Sequence, residues 1–303
     1  MRSLLSIILL FGSLLTFGQQ QATFSQYMFN GLAINPAYAG SQDVLTATAL
    51  ARYQSLGLEG APNTQTFAIH SPLLNENIGL GLLAVRDNIS IINQYSISGV
   101  YAYRIKFTEW SNLAFGIQAG INSLDAQYSK ARIQNPNDPV FQEDIRSFRP
   151  NFGLGVYYQE QKYFIGLSVP QLANNVFDRG TNLQTIKQDN PIILTGGYIF
   201  NLNRVIKFKP SALLKYVGND FVEYNINAQL SFDDVLWVGA SLKVLNAVDI
   251  LTEVQLTRQL RLGYAYTHTI NDLSVIDLGS HEMMVSYRFL FPPKEGLISP
   301  RYF

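Results

Sequence analysis

Few side chains in this sequence have the types and spacing that an enzyme site needs. His268 and His281 flank a polar stretch with Asp272 and Asp277, and a hydrolase builds its relay from such groups. None of the three histidines, His70 included, shows HExxH or paired-ligand spacing, and the sequence has no Cys. Polar loop ends explain these residues better. We therefore expect no enzyme activity, no metal and no cofactor.

Two other patterns resemble ligand sites without the spacing that such sites require. Asp138, Glu143 and Asp144 form an acidic group, but they do not follow the order of an EF-hand loop. The tripeptide Gly-Leu-Gly occurs twice, at 79–81 and at 153–155. Neither copy precedes a predicted helix, so neither is a dinucleotide-binding loop. Glycines inside strands instead mark curvature or close approach within a sheet.

The composition favours a membrane protein that exposes aromatic and apolar side chains to lipid. Lys+Arg and Asp+Glu are both 22, which leaves no net charge to attract nucleic acid. Charged residues make up only 15% of the chain, and aromatic residues make up 13%. Past residue 18 no apolar run is long enough for a transmembrane helix, so a role in the lipid bilayer requires a β-barrel.

Alternation of apolar and polar residues predicts the strands of that barrel. From Glu223 to Phe232 every second residue is apolar, which is the period of a strand with two different faces. A soluble β-sandwich also alternates, but its interior rarely carries so many Tyr. We predict an all-β fold, a transmembrane antiparallel outer-membrane β-barrel of about 14 strands. The strands are predicted near 44–53, 63–71, 78–87, 94–106, 111–123, 150–159, 163–170, 191–201, 205–216, 222–232, 236–244, 249–257, 259–268 and 281–291.

The same alternation directs four charged side chains of the late strands into the lumen. They are Lys243, Glu253, Arg261 and Arg288. Two interpretations remain open. The four can form a cross-strand network that fills and stiffens the interior, or they can line a path for a charged substrate.

The lengths of the connections indicate an orientation. Connections after even-numbered predicted strands are short, and the long ones, 124–149, 170–190 and 269–280, all follow odd-numbered strands. Outer-membrane barrels have short periplasmic turns and long outer loops. An even strand count with this parity predicts that both termini are periplasmic.

Four segments follow along the chain. Residues 1–18 read as a secretory signal peptide, with Arg2, an apolar core and a small residue before the cut. Residues 19–43 form an N-terminal segment, either a plug or a periplasmic docking element, and 44–291 form the barrel. Residues 292–303 form a periplasmic tail. Its end, Arg301, Tyr302 and Phe303, is a candidate periplasmic interface.

The N-terminal segment has the residues of an ordered turn. Asn35-Pro36 restricts the backbone, Gly40 permits a conformation closed to other residues, and Ala37 and Ala39 allow close contact. Its apolar side chains need shelter, and the lumen of a barrel of this size has room beyond its own side chains. We expect the segment either to fold into the barrel or to pack as an ordinary arm.

Two regions, one near the start and one near the end of the sequence, resemble the PorP/SprF family of type IX secretion system outer-membrane proteins of the Bacteroidota. The resemblance is carried by FSQYM (24–28) and NPAYAG (35–40), and by LGYAY (262–266), GSHE (279–282) and SYRF (286–289). An Asn-Pro-Ala box also occurs in fatty-acid-transporter-like barrels. The N-terminal family motif comprises Phe24, Gln26, Tyr27, Asn35, Pro36, Ala37, Tyr38 and Gly40.

The resemblance implies a non-enzymatic barrel in the outer membrane of a Gram-negative bacterium. Such a barrel is implied to support export of specific large surface proteins, including gliding adhesins, and their anchoring at the cell surface. The implied partners are the C-terminal secretion domain of an adhesin and periplasmic type IX machinery or peptidoglycan-associated components. A fatty-acid-transporter-like or other solute-transport barrel is the alternative, although polar inward residues argue against a fatty-acid path.

Overall fold

The structure is a computed structural model that describes most of the chain. The described ranges are 24–73, 76–130, 144–172, 175–177, 186–188, 190–218, 221–244, 247–270 and 277–290. Three sets of predicted features lie outside them. These are the signal peptide (1–18), the tail with Arg301, Tyr302 and Phe303, and the loop residues Asp138, Glu143 and Asp272.

Within the described ranges the chain is almost entirely strand, with no α-helix and a few 3₁₀ turns. No helix there is long and apolar enough to cross a membrane. The strands are β1 (Leu45–Tyr53), β2 (Asn63–Pro72), β3 (Ile78–Ile89), β4 (Ile92–Lys106), β5 (Asn112–Ala126), β6 (Ile145–Gln159), β7 (Tyr163–Val169), β8 (Asn175–Phe177), β9 (Ile186–Gln188), β10 (Pro191–Tyr198), β11 (Phe200–Asn201), β12 (Ile206–Val217), β13 (Phe221–Phe232), β14 (Leu236–Lys243), β15 (Ala247–Gln255), β16 (Leu260–Thr269) and β17 (Ser280–Phe289).

These strands close into one antiparallel barrel. Apart from β8, β9 and β11, each strand pairs with its neighbours along the chain, β1 pairs with β17, and β10 pairs with both β7 and β12. β10 and β11 both pair with β12, one after the other, so they count as one strand of the wall. Without β8 and β9, the wall has fourteen strands. β8 and β9 form a separate small hairpin. The predicted fold class, an outer-membrane barrel of about 14 strands, is confirmed.

Strand β13 shows why the sequence forms this wall. Asn225 and Gln229 point inward and are fully buried, whereas Tyr224 and Ile226 point outward and are exposed. A strand between lipid and a filled lumen needs this two-residue alternation, because its two faces meet different surroundings.

The two ends of the barrel differ. At one end lie the short connections 73–77, 107–111, 160–162, 202–205, 233–235 and 256–259, and we call it the short-turn end. At the other, the long-loop end, lie the three longest connections, 127–144, 170–190 and 270–279. The predicted parity of the connections is therefore present in the fold.

Residues 24–44, which we call the lumen segment, lie inside the barrel. The segment contains three short 3₁₀ turns, Tyr27–Phe29, Gly31–Ala33 and Pro36–Tyr38. Its first residues contact Glu282 and Lys243, which lie near the ends of their strands on the long-loop side. Gly40 lies at the short-turn end, beside Gly79.

The two ends of the described chain therefore lie on opposite sides of the barrel. Phe24 is near the long-loop end, and Leu290 follows β17 at the short-turn end. The periplasmic position of both termini stays a prediction.

Candidate functional site: the segment inside the barrel

The first turn of the lumen segment is held by one buried carboxylate. Glu282 accepts hydrogen bonds from the backbone N–H groups of Ser25 and Gln26, at 3.0 and 2.8 Å. Arg52 lies 3.5 Å from the same carboxylate. Hydrogen bonds to a charged acceptor are stronger than neutral ones, so this carboxylate is an effective anchor for two backbone donors.

The hydroxyl of Ser25 lies within a small cluster of buried charges. The ammonium of Lys243 donates to it at 2.9 Å, and a guanidinium nitrogen of Arg52 lies 3.4 Å away. Lys243 also pairs with Asp249 at 3.1 Å. Two cations and two carboxylates, counting Glu282, thus balance each other around the start of the segment, which reduces the penalty of burying each charge.

Tyr27 extends the anchoring to β13, four strands from β17 along the wall. Its phenol accepts a hydrogen bond of 2.8 Å from the side-chain amide of Asn227 on β13. Burial raises the pKa of Tyr27, so the phenol stays neutral and keeps this bond. Apolar neighbours of the turn complete the packing. They are Phe24, Met28, Leu50, Ile193, Leu213, Leu251 and Ala265.

Asn35 fixes the middle of the segment. Its backbone is extended, as expected before a proline, and its side-chain oxygen caps the turn Pro36–Tyr38 by accepting from the Ala37 N–H at 2.9 Å. Its side-chain amide donates to the carbonyl oxygen of Val156 on β6 at 3.0 Å. The neighbouring carbonyl of Ile34 accepts from Ser168 on β7 at 2.6 Å. The local turn and its attachment to the wall therefore depend on the same side chain.

Wall glycines let the backbone of the segment approach closely. A Cβ atom at Gly116 would overlap the backbone of Pro36 and Ala37, and one at Gly155 would overlap the side chain of Asn35. A side chain at either position would push the turn away from the wall, so these strands need glycine there.

Gly40 ends the segment with its backbone in the left-handed region, at φ +74°. Its N–H donates to Nδ1 of His70 at 3.1 Å, and its carbonyl oxygen accepts from the guanidinium of Arg104. Tyr38 packs edge-on against His70, with ring centroids 5.4 Å apart. Both backbone polar groups of Gly40 are therefore satisfied by the wall.

The four charged residues that alternation directs inward lie in two places in the structure. Lys243 belongs to the cluster at Ser25, near the long-loop end. Arg261 lies 3.9 Å from Glu253 and 5.7 Å from the ring of Phe29. Arg288, near the short-turn end, lines a cavity with Arg261.

The eight motif residues predicted from the sequence all lie in the lumen segment and are buried. They are Phe24, Gln26, Tyr27, Asn35, Pro36, Ala37, Tyr38 and Gly40. No catalytic set assembles among the described histidines. His281 contacts the Tyr264 hydroxyl at 2.6 Å, His268 is exposed, and Asp277 binds Thr269 and the Gly279 N–H. Across the described ranges no three His, Asp or Glu side chains could hold a metal ion.

Sequence reasoning missed several wall residues that hold the segment. Arg52, Arg104 and Asn227 were not singled out, and His70 was treated only as a candidate ligand. Alternation could have identified each of them as inward-facing, but it carries no information about which inward residue meets the segment.

The lumen segment thus occupies the barrel interior and is bound to the wall along its length. Residues 16–287 match the family model described as type IX secretion system membrane protein PorP/SprF. No curated protein matches the chain by sequence.

Solved structures with a similar fold are outer-membrane proteins. A FadL homologue of Pseudomonas aeruginosa matches with a TM-score of 0.51 and 12% identity, over 86% of this chain and 94% of that chain. Omp33 of Acinetobacter baumannii matches with a TM-score of 0.46 and 10% identity, over 82% of this chain and 100% of that chain. At such identities the likeness concerns the fold alone.

Proposed function

The chain belongs to the PorP/SprF family of type IX secretion system membrane proteins, and from this premise we propose that it supports export and cell-surface anchoring of specific large surface proteins, such as gliding adhesins. It is an outer-membrane protein with a closed barrel. One observation carries the proposal beyond the family. The lumen is occupied by a segment bound to both halves of the wall, at Glu282 and at Val156. A filled barrel suits a scaffold for protein partners better than a pore.

The proposed orientation has the short-turn end in the periplasm and the long loops outside the cell. Its support is the asymmetry of the connections, since outer-membrane barrels have short periplasmic turns. The outer loops then bind the C-terminal secretion domain of an adhesin. The periplasmic face binds type IX machinery or peptidoglycan-associated components. The role is a binding role without catalysis.

Solute transport is the competing function, and the packing of the lumen argues against it. A fatty-acid path needs a continuous apolar lining. Here the interior presents buried polar and charged side chains such as Lys209, Gln229 and Glu253. The lumen segment lies across the remaining space, with Tyr27 and Leu32 both fully buried.

Affinity purification from native outer membranes, after mild cross-linking, tests the proposal. We expect one large surface protein to co-purify, linked through its C-terminal domain, together with periplasmic machinery. Cells that lack this chain should retain that surface protein inside the envelope or release it. Normal surface display in such cells, together with loss of uptake of a small solute, would favour the transport function instead.

A further inference from the structure

The lumen segment leaves one polar space unfilled at the short-turn end. The cavity is open to solvent, and the centres of water-sized molecules have about 20 Å³ of space within it. On the wall side it is lined by Thr46, Thr48, His70, Arg261, Ser286 and Arg288. We call it the arginine cavity.

Strand register brings these six residues together. Thr46 on β1 is paired with Arg288 on β17 and with His70 on β2. Ser286 on β17 is paired with Thr48 and with Arg261 on β16. The six side chains therefore form one patch across four adjacent strands, which is positioned by backbone pairing and not by a flexible loop.

The patch presents many hydrogen-bond donors and few acceptors. The Arg288 guanidinium makes no ion pair or hydrogen bond with any residue in the described ranges. Nε of Arg261 donates a hydrogen bond to Oε1 of Gln255 at 2.9 Å. A second guanidinium nitrogen of Arg261 lies 3.9 Å from the carboxylate of Glu253. Because Nδ1 of His70 accepts from Gly40, neutral His70 carries its proton on Nε2.

Two guanidinium groups that line one cavity repel each other unless an anion lies between them. Guanidinium groups bind carboxylates and phosphates through paired N–H donors, and hydroxyl groups complete such sites. No described carboxylate balances Arg288 in this space.

We propose that the arginine cavity binds an oxyanion, a carboxylate or phosphate group, that enters from the short-turn end. Arg288 and Arg261 supply the charge. The hydroxyls of Thr48 and Ser286 hydrogen-bond each other at 3.1 Å, which leaves one of their two protons to donate to the anion, whereas the Thr46 hydroxyl already donates to the carbonyl oxygen of Val44. The proposal does not depend on the proposed secretion role, because a free anion or an acidic peptide would bind through the same groups.

Calorimetric titration of the full chain in detergent tests the proposal. Sodium phosphate and a capped Asp-Asp dipeptide are the probes, at constant ionic strength. We expect saturable binding of at least one probe, weakened tenfold or more in Arg288→Gln. Lys106→Gln is the matched control, because Lys106 is an exposed cation of the same end that pairs with Glu76. Its binding should equal that of the unmodified chain.

Further outcomes identify the source of the anion. Binding of phosphate alone indicates a small free anion, and preference for the dipeptide indicates an acidic peptide. Binding that appears only after deletion of residues 291–303 indicates that carboxylates of the chain itself compete for the site. If Arg288→Gln fails to form a heat-modifiable barrel on gels, Arg261→Gln replaces it. No saturable binding with or without that deletion, or equal binding in the arginine variants, would overturn the proposal.

Discussion

Gly116 on β5 lies directly against the backbone of Ala37 in the lumen segment. The space between them admits no Cβ atom at position 116. The contact joins the turn Pro36–Tyr38, which the sequence indicated, to a glycine of the wall, which nothing in the sequence marked as its partner.

Substitution of Gly116 by Ala should displace the lumen segment. Overpacking of this kind costs about 1–3 kcal/mol, which raises the displaced population by roughly fivefold to a hundredfold. Limited proteolysis should then cleave the segment faster than in the unmodified protein. Gly99→Ala is the control, since a Cβ at Gly99 would lie 4.0 Å from its nearest neighbour, the carbonyl oxygen of Ala119. Equal cleavage rates in the two variants would contradict the tight fit.

Substitution of Glu282 by Gln should loosen the start of the segment. The amide keeps the shape but loses the charge and one acceptor, so one of the two backbone donors of Ser25 and Gln26 loses its partner. We expect protection from protease to fall, by an amount that corresponds to about 1.5–3 kcal/mol. Glu109→Gln, in an exposed turn, should have no effect. Unchanged protection in Glu282→Gln would mean that packing alone holds the segment.

The strands were predictable because the faces of the barrel wall impose a period of two. Each barrel strand lies within a few residues of its prediction, with β6 the most extended, starting at Ile145 rather than near 150. The loop 124–149 is correspondingly shorter, because Asn122–Ala126 on β5 pair with Ile145–Arg149 on β6. Aromatic and charged residues there gave no clear alternation.

The contacts of the lumen segment were less predictable. Asn35-Pro36 and Gly40 indicated a turn, and that turn is present. Its partners, such as Val156 and Arg104, are distant in sequence. Alternation shows that a wall residue faces inward but leaves its partner undetermined, so Asn227 and Glu282 could not be assigned to Tyr27 and Ser25 in advance.

Single-cysteine labelling on intact cells tests the proposed orientation. The chain has no native Cys, so each introduced thiol reports one position. Lys130→Cys, exposed at the long-loop end, should react with a membrane-impermeant maleimide, and Gln161→Cys, in a short turn, should react only after lysis. Labelling of Gln161→Cys on intact cells without labelling of Lys130→Cys would reverse the orientation.

Deletion of residues 294–303 tests the predicted interface of Arg301, Tyr302 and Phe303. We expect a barrel that still forms, because these residues lie beyond the last strand, but weaker association with periplasmic machinery. Co-purification measures that association, and heat-modifiable gel mobility checks the barrel. Unchanged association and unchanged surface display of the passenger protein would show that the tail is no interface.

Planar-bilayer conductance tests most directly whether the barrel is a closed scaffold. The intact chain should show little steady current, because the lumen segment is bound to both halves of the wall. Deletion of residues 19–40 should produce stable open channels, since a barrel of fourteen strands leaves space beyond its own side chains. Large, stable currents from the intact chain would contradict the closed scaffold and favour solute transport.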